Sequence, residues 1–79
     1  MTVKITIAKG AEVPMHSHPH EQVGFIAQGT FRFTIGDETR DLGPGDGYAV
    51  PPNVPHGGTG LEVSVAVDTF APPREEYRD

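Results

Sequence analysis

The chain has 79 residues, a formal net charge of −5 and no cysteine. A domain of this size buries only about 60% of the surface that its unfolded chain exposes, so its core is thin, and the lack of cysteine excludes disulfides and thiolate metal sites. The acidic balance, without a membrane-length apolar run or a signal-peptide pattern, argues against nucleic acid and membranes as partners and predicts a soluble, cytoplasmic protein.

The first half of the chain alternates apolar and polar residues in the way that is typical of β-strands. Residues 2–8 alternate until Gly10 interrupts them, and residues 30–35 alternate again. A short mixed run over residues 22–27 comes before the second of these patterns, with Gly29 between the two. This arrangement predicts a hairpin of residues 22–27 with residues 30–35.

The second half shows further short strands between turns rich in glycine and proline. Residues 38–42 and 48–50 predict two strands, whereas the prolines in residues 51–55 cannot donate to a sheet and predict a loop or sheet edge that presents His56. Residues 61–70 give the longest strand pattern, with one face formed by Leu61, Val63, Val65 and Val67.

Many short strands and almost no helix predict an all-β sandwich or barrel. We expect one domain over residues 1–79, with its core in residues 2–70. The charged tail, residues 71–79, is expected to lie on the surface or on a partner chain. Because the core is small, a bound metal ion or a second chain would add stability, and we expect a homodimer.

The four histidines are distributed in the manner of a metal site. His16, His18 and His20 fall within one short run, and His56 follows in the second half. Imidazole is the commonest protein ligand for divalent transition metals, although a surface tract that binds nickel or zinc loosely is the alternative. Residues two apart share one face of a strand, so His16, His18 and Gln22 are expected to point the same way. His20 has the same parity and is interpreted as a pocket wall, an exposed residue or a further ligand.

Two spaced sets of residues resemble the two motifs of the cupin family. The first set, with glutamine where the family usually has glutamate, is Gly10, His16, His18, Gln22 and Gly29. The second set, with asparagine in place of a glycine, is Gly45, Pro51, Asn53 and His56. The resemblance implies a small antiparallel β-barrel of jelly-roll type with a metal ion in its mouth. By position, the ligands would be His16, His18, Gln22 and His56.

The short segment before the first motif predicts that one or two N-terminal strands of the usual cupin barrel are missing. An open edge would then be left, which a second chain could close by strand exchange.

Glutamine at position 22 has chemical consequences for the metal. Three neutral imidazoles and a neutral amide leave a divalent ion its full charge, which makes it a stronger Lewis acid than a carboxylate-bound ion. Four protein ligands also leave coordination positions open, as in catalytic or binding sites. This donor set fits zinc, nickel, copper or iron(II), and manganese less well.

The C-terminal segment, residues 67–77, resembles the ending of a subgroup of small cupins that includes enzymes linearising unsaturated uronates released from pectin and alginate. The resemblance implies that Asp68, Phe70 and Arg74 lie at the pocket. An aspartate can move protons, and an arginine can hold a sugar carboxylate. The alternatives are that Asp68 ends a strand, that Phe70 belongs to the core and that Arg74 is a solvated charge or dimer contact. Arg32 is a second candidate for holding an anion.

Three functions fit these residues. The first is a metal-dependent lyase or isomerase on a small acidic carbohydrate, in which Asp68 moves a proton and Arg74 orients a carboxylate. The second is an iron- or copper-dependent dioxygenase on the same ligands. The third is a non-catalytic, metal-stabilised module that binds a small ligand or has a regulatory role. The fold alone does not choose among them, because one fold hosts many chemistries.

Overall fold

Residues 1–71, the part of the chain that this computed structural model describes, form eight β-strands. In chain order the strands are β1 (Thr2–Ile7), β2 (Glu12–His16), β3 (Glu21–Gln28), β4 (Phe31–Ile35), β5 (Glu38–Leu42), β6 (Gly47–Val50), β7 (His56–Gly60) and β8 (Ser64–Ala71). None of these residues forms a helix that could cross a membrane. Apart from Ala71, the predicted tail lies outside the described residues.

The strands form two four-stranded sheets. The first sheet has the order β1-β8-β3-β6, and the second has the order β2-β7-β4-β5. Every neighbouring pair is antiparallel. The predicted all-β, antiparallel fold is therefore confirmed.

Side chains from both sheets meet in one hydrophobic core. In β1 the alternation predicted from the sequence places Val3, Ile5 and Ile7 on the less exposed face, between exposed threonine and lysine side chains. The buried core consists of Ile7, Ile26, Phe31, Phe33, Leu42, Val50 and Ala66. Because these residues come from strands of both sheets, their burial holds the two layers together.

The predicted hairpin of residues 22–27 with residues 30–35 is wrong. β3 pairs with β6 and β8, whereas β4 pairs with β5 and β7, so the chain changes sheets between them. At this corner Gly29 has a φ of 80°, and an added Cβ would lie 2.1 Å from the carbonyl oxygen of Val63. The corner therefore needs glycine for close packing as well as for its backbone angle.

The strand observed near residues 61–70 also differs in detail from the predicted one. The strand begins at Ser64, and its buried face consists of Ser64, Ala66 and Asp68 rather than the valines. β8 lies between β1 and β3, where Ala66 is paired with Ile5 on one side and with Ile26 on the other. Large inward side chains on both neighbours leave room for small ones on β8, so the valines face outward.

Candidate metal centre

Three histidines converge at one end of the two sheets. His16 ends β2, His56 begins β7, and the two are register partners, while His18 lies in the connection from β2 to β3. One nitrogen of each side chain lies within 4.8 Å of the others. The ring centroid of His56 is 4.3 Å from that of His16 and 4.8 Å from that of His18. The cluster therefore has the dimensions of a group that closes around one ion.

Each of the three rings is oriented by a backbone carbonyl. The Nδ1 atoms of His16, His18 and His56 each lie 2.9 Å from the carbonyl oxygens of Pro14, His20 and Val54, respectively. A carbonyl oxygen only accepts, so Nδ1 donates and carries the hydrogen in each ring. All three Nε2 atoms are left with a lone pair, the form in which a histidine binds metal.

Local backbone features place these rings. The register of β2 against β7 shifts between Val13 and His16, which re-aims the end of the strand. Pro14 is tolerated there because β2 is at the edge of its sheet. Asn53, at the position of the motif glycine, has a φ of 65°, and its N–H donates to the carbonyl oxygen of His18 at 2.8 Å. The loop before β7 is thereby tied to the segment that carries His18.

The most buried histidine is His56, which is only 2% exposed. Burial lowers the pKa of His56, with further lowering from His16 and His18, whereas its bond to Val54 and the charge of Asp68 act in the opposite direction. Its Nε2 atom is buried and has no hydrogen-bond partner among the described residues. A buried polar atom without a partner is costly, and a bound metal ion would satisfy it.

Gln22 extends the cluster toward the first sheet. Its side chain lies on β3, is 7% exposed, and places Oε1 3.2 Å from Nε2 of His18. Both of these atoms have lone pairs directed toward each other, which is favourable only when a proton or a cation lies between them. The residues present therefore fit a metal ion held by three imidazole nitrogens and one amide oxygen.

A buried chain of hydrogen bonds continues from Gln22. Its Nε2 donates to Oδ2 of Asp68 at 2.6 Å, and Oδ1 of Asp68 accepts from the hydroxyl of Tyr48. Asp68 is 2% exposed. Burial and the neighbouring Asp68 raise the pKa of Tyr48 well above its usual value, so its hydroxyl keeps its hydrogen at neutral pH. Sequence reasoning missed Tyr48. The available signal was its position two residues before Val50 on β6, which places the two side chains on the same, inward face of the strand.

The similarity to known proteins agrees with this geometry. Residues 3–67 match the cupin domain family. The chain belongs to the cupin family. The pectin degradation protein KdgF of Dickeya dadantii (strain 3937) is 40% identical to this cupin over 79 residues, which cover 98% of this chain and 72% of that protein.

Two solved structures are also similar to this cupin. The RmlC-like cupin from Shewanella frigidimarina NCIMB 400 has a TM-score of 0.88 and 39% identity, with coverage of 98% of this chain and 69% of that one. KdgF from Halomonas sp. has a TM-score of 0.87 and 36% identity, with coverage of 96% and 71%, respectively. The predicted resemblance to small cupins of pectin degradation is thus confirmed.

A cavity of about 260 Å³ opens between the sheets of this cupin at the histidine cluster. Its polar lining consists of His16, His18, Gln22, Tyr48, His56 and Asp68, and its apolar lining of Ile5, Ile7, Val13, Phe31, Phe33, Ala66 and Phe70. The ring of Phe70 meets that of His18 edge-on at a centroid distance of 5.7 Å. The polar groups therefore gather on one part of a mostly apolar wall, as is usual for small-molecule sites.

Two other candidate residues, His20 and Arg32, are not among those that line the cavity. The ring of His20 is exposed and is not among the cavity's lining residues, although its carbonyl oxygen orients His18. Arg74 lies outside the described residues. Arg32 is exposed and paired with Asp41 at 2.8 Å, which holds its guanidinium on the surface, away from the cavity.

Proposed function

We propose that this cupin is a metal-dependent lyase or isomerase that acts on a small acidic carbohydrate such as an unsaturated uronate. One observation carries the proposal: the buried carboxyl group of Asp68 lines the same cavity as the three histidines. The similarity to KdgF, a pectin degradation protein, supports an acidic sugar as substrate, because pectin is built from sugar acids.

The metal would be held by the side chains that converge at the mouth of the cavity, His16, His18, Gln22 and His56. Nitrogen-rich ligation of this kind favours zinc, nickel, copper or iron(II) over manganese. When bound, such an ion supplies Lewis-acid chemistry by polarising a hydroxyl or carbonyl oxygen.

Asp68 is proposed to move the proton. An isomerisation shifts a hydrogen from one atom of the substrate to another without net gain or loss, so one carboxyl group that accepts and returns a proton is sufficient. The hydroxyl of Tyr48 donates to Oδ1 of Asp68 and would stabilise the carboxylate form, which is present before Asp68 accepts the proton and again after it returns it.

The rest of the cavity is proposed to bind and orient the sugar. Its apolar wall, which includes Phe70, would exclude water and pack against the apolar face of a sugar ring. Arg74 is proposed to pair with the substrate carboxylate through two parallel hydrogen bonds. A pocket role for His20, a homodimer with strand exchange and a cytoplasmic location stay predictions of the sequence.

The test is turnover of an unsaturated monouronate by metal-loaded protein. Turnover is measured as the loss of the substrate's ultraviolet absorbance. Asp68→Asn, assayed with metal in excess so that its site stays filled, is expected to lose activity by about a hundredfold or more, because general acid–base catalysis contributes about that much. Asp37→Asn is the matched control, since Asp37 is exposed in the turn before β5, and it is expected to behave as the unchanged protein. Full activity of Asp68→Asn would refute the assignment of the proton to this residue.

The same samples separate the two other functions. Oxygen consumption that stops when zinc replaces iron or copper would favour the dioxygenase. Thermal stabilisation by the uronate without turnover would favour the non-catalytic binding module.

A further inference from the structure

We propose that Asp68, held in place by Tyr48, orients the side-chain amide of Gln22 so that its oxygen faces the metal centre. The inference concerns metal binding and stands independently of the reaction proposed above. An amide has two ends of nearly the same shape, of which only the oxygen can bind a cation. A glutamine ligand therefore needs a neighbour that distinguishes the two ends.

Two neighbours compete for the amide of Gln22. In the observed orientation its NH₂ group donates to Oδ2 of Asp68 at 2.6 Å, and its oxygen faces Nε2 of His18 at 3.2 Å. In the reversed orientation the NH₂ group would donate to His18 and block its Nε2, while the oxygen would face the oxygen of Asp68. A hydrogen bond to a carboxylate is roughly twice as strong as a neutral one, so Asp68 decides the orientation.

The hydrogen bond from Tyr48 leaves Asp68 with one carboxylate oxygen that can accept from Gln22. The Tyr48 hydroxyl donates to Oδ1, and Oδ2 is left for Gln22. Both Gln22 and Asp68 are less than a tenth exposed, so bulk water does not provide an alternative partner. Asp68 and Tyr48 act through Gln22 and are, in this role, positioning residues.

The first sheet keeps room for this pair. Gly24 on β3 is the register partner of Asp68 on β8 and of Tyr48 on β6. A Cβ added to Gly24 would lie 2.1 Å from Oδ1 of Asp68 and 2.8 Å from the hydroxyl of Tyr48. The absence of a side chain at Gly24 therefore allows the side chains of Asp68 and Tyr48, from the strands on either side of β3, to meet above it.

The pairing also explains why glutamine suits position 22 in this chain. A glutamate there would have the shape of glutamine, but it would turn an acceptor oxygen toward the acceptor oxygen of Asp68. Replacing Asp68 by asparagine would reverse the requirement. Tyr48 would keep the oxygen of the new amide, and the NH₂ group of the asparagine would face position 22. Glutamate would then be the matching partner.

The experiment measures zinc affinity of metal-stripped protein by calorimetry for four proteins: the unchanged chain, Gln22→Glu, Asp68→Asn and the double variant. We expect Asp68→Asn to lower affinity about tenfold when residue 22 is glutamine and to raise it about threefold or more when residue 22 is glutamate. A purely structural role for Asp68 would not reverse the sign. A change in the same direction in both backgrounds would overturn the proposal.

A second measurement keeps the proposal testable if Asp68→Asn does not fold. Tyr48→Phe removes only the hydroxyl, and we expect it to weaken zinc binding by about threefold, because Asp68 is then free to turn. Nuclear Overhauser contacts of the Gln22 NH₂ hydrogens report the orientation directly in the unchanged, metal-stripped protein. Contacts with the ring of Tyr48 support the proposal, whereas contacts with the ring of His18 alone would refute it.

Discussion

At the scale of single residues, the candidate centre depends on side chains whose hydrogen bonds leave one atom free for a ligand. His16, His18 and His56 each use Nδ1 on a backbone carbonyl, so Nε2 is the nitrogen that each ring has left for a ligand. The spacing of His16 and His18 predicts a shared face, but the carbonyls that orient the three rings lie at the bulge of β2, in the connection from β2 to β3 and in the loop before β7. These contacts could not be predicted because they depend on backbone geometry rather than on residue type.

Removing His56 should weaken metal binding strongly, whereas removing His20 should not. His56→Ala is expected to lower metal affinity by roughly a hundredfold or more, since His56 supplies a buried Nε2 without another partner. His20→Ala is the control and is expected to keep its metal, because the ring of His20 is exposed and lies outside the cavity. Elemental mass spectrometry of both variants checks this, and equal metal content in both would contradict it.

The metal-free protein should lose stability as the pH falls, in part because of His56. Its pKa is lowered by burial, so below the ordinary histidine value of about 6.5 the unfolded chain takes up a proton that the folded chain does not. The contribution is fully present above that value and is lost as the pH falls toward the folded pKa. Urea unfolding between pH 5 and 8 should show a flatter dependence for His56→Gln, and parallel curves would be the contrary result.

At the scale of strands, alternation predicts some elements well and others not at all. β1 and β4 follow their sequence patterns closely because each has a less exposed face and a more exposed face. β5 keeps its predicted bounds although only Leu42 in it is buried. β7 escaped prediction because its sequence, HGGTG, has little β-propensity. It forms a strand through its position between β2 and β4, where tertiary contacts override local preference. Tertiary contacts also decide β8, where Ser64, Ala66 and Asp68 point inward although the sequence pattern favours the valines.

The glycines of β7 should be hard to replace. A Cβ on Gly58 would lie 2.3 Å from the carbonyl oxygen of Arg32 and 2.5 Å from the ring of Phe31. Gly58→Ala is therefore expected to lower the free energy of unfolding by about 2 to 4 kcal/mol. Gly43→Ala, whose Cβ would approach nothing closer than 4.0 Å, should change it by about 0.5 kcal/mol or less. Equal midpoints in urea for the two variants would contradict this reading of β7.

At the scale of the whole molecule, the outer face of the first sheet exposes several large apolar side chains. Val23 and Phe25 on β3 are 49% and 45% exposed, and the outward valines of β8 lie beside them. Val63 in the preceding turn is 59% exposed. The homodimer predicted from the thin core thus has a surface on which a second copy could pack.

Sedimentation of the unchanged chain is expected to show a dimer at micromolar concentration. Phe25→Glu would place a charge in the middle of the outer face and should shift the equilibrium to monomer, because burying an unpaired charge is costly. Thr39→Glu, an exposed change on β5 of the second sheet, should leave the dimer intact. A monomer for the unchanged chain would refute the homodimer.

The proposed ligands are divided between the two layers of the fold. His16 and His56 lie on the second sheet, Gln22 lies on the first, and His18 lies in the connection between them. An ion bound to all four would act as a reversible cross-link, present in the folded state and absent from the unfolded one. Its binding free energy would then be added to the free energy of unfolding. A chelator would therefore remove a link between the two sheets as well as empty the site. The lifetime of the folded protein would then depend on the supply of metal.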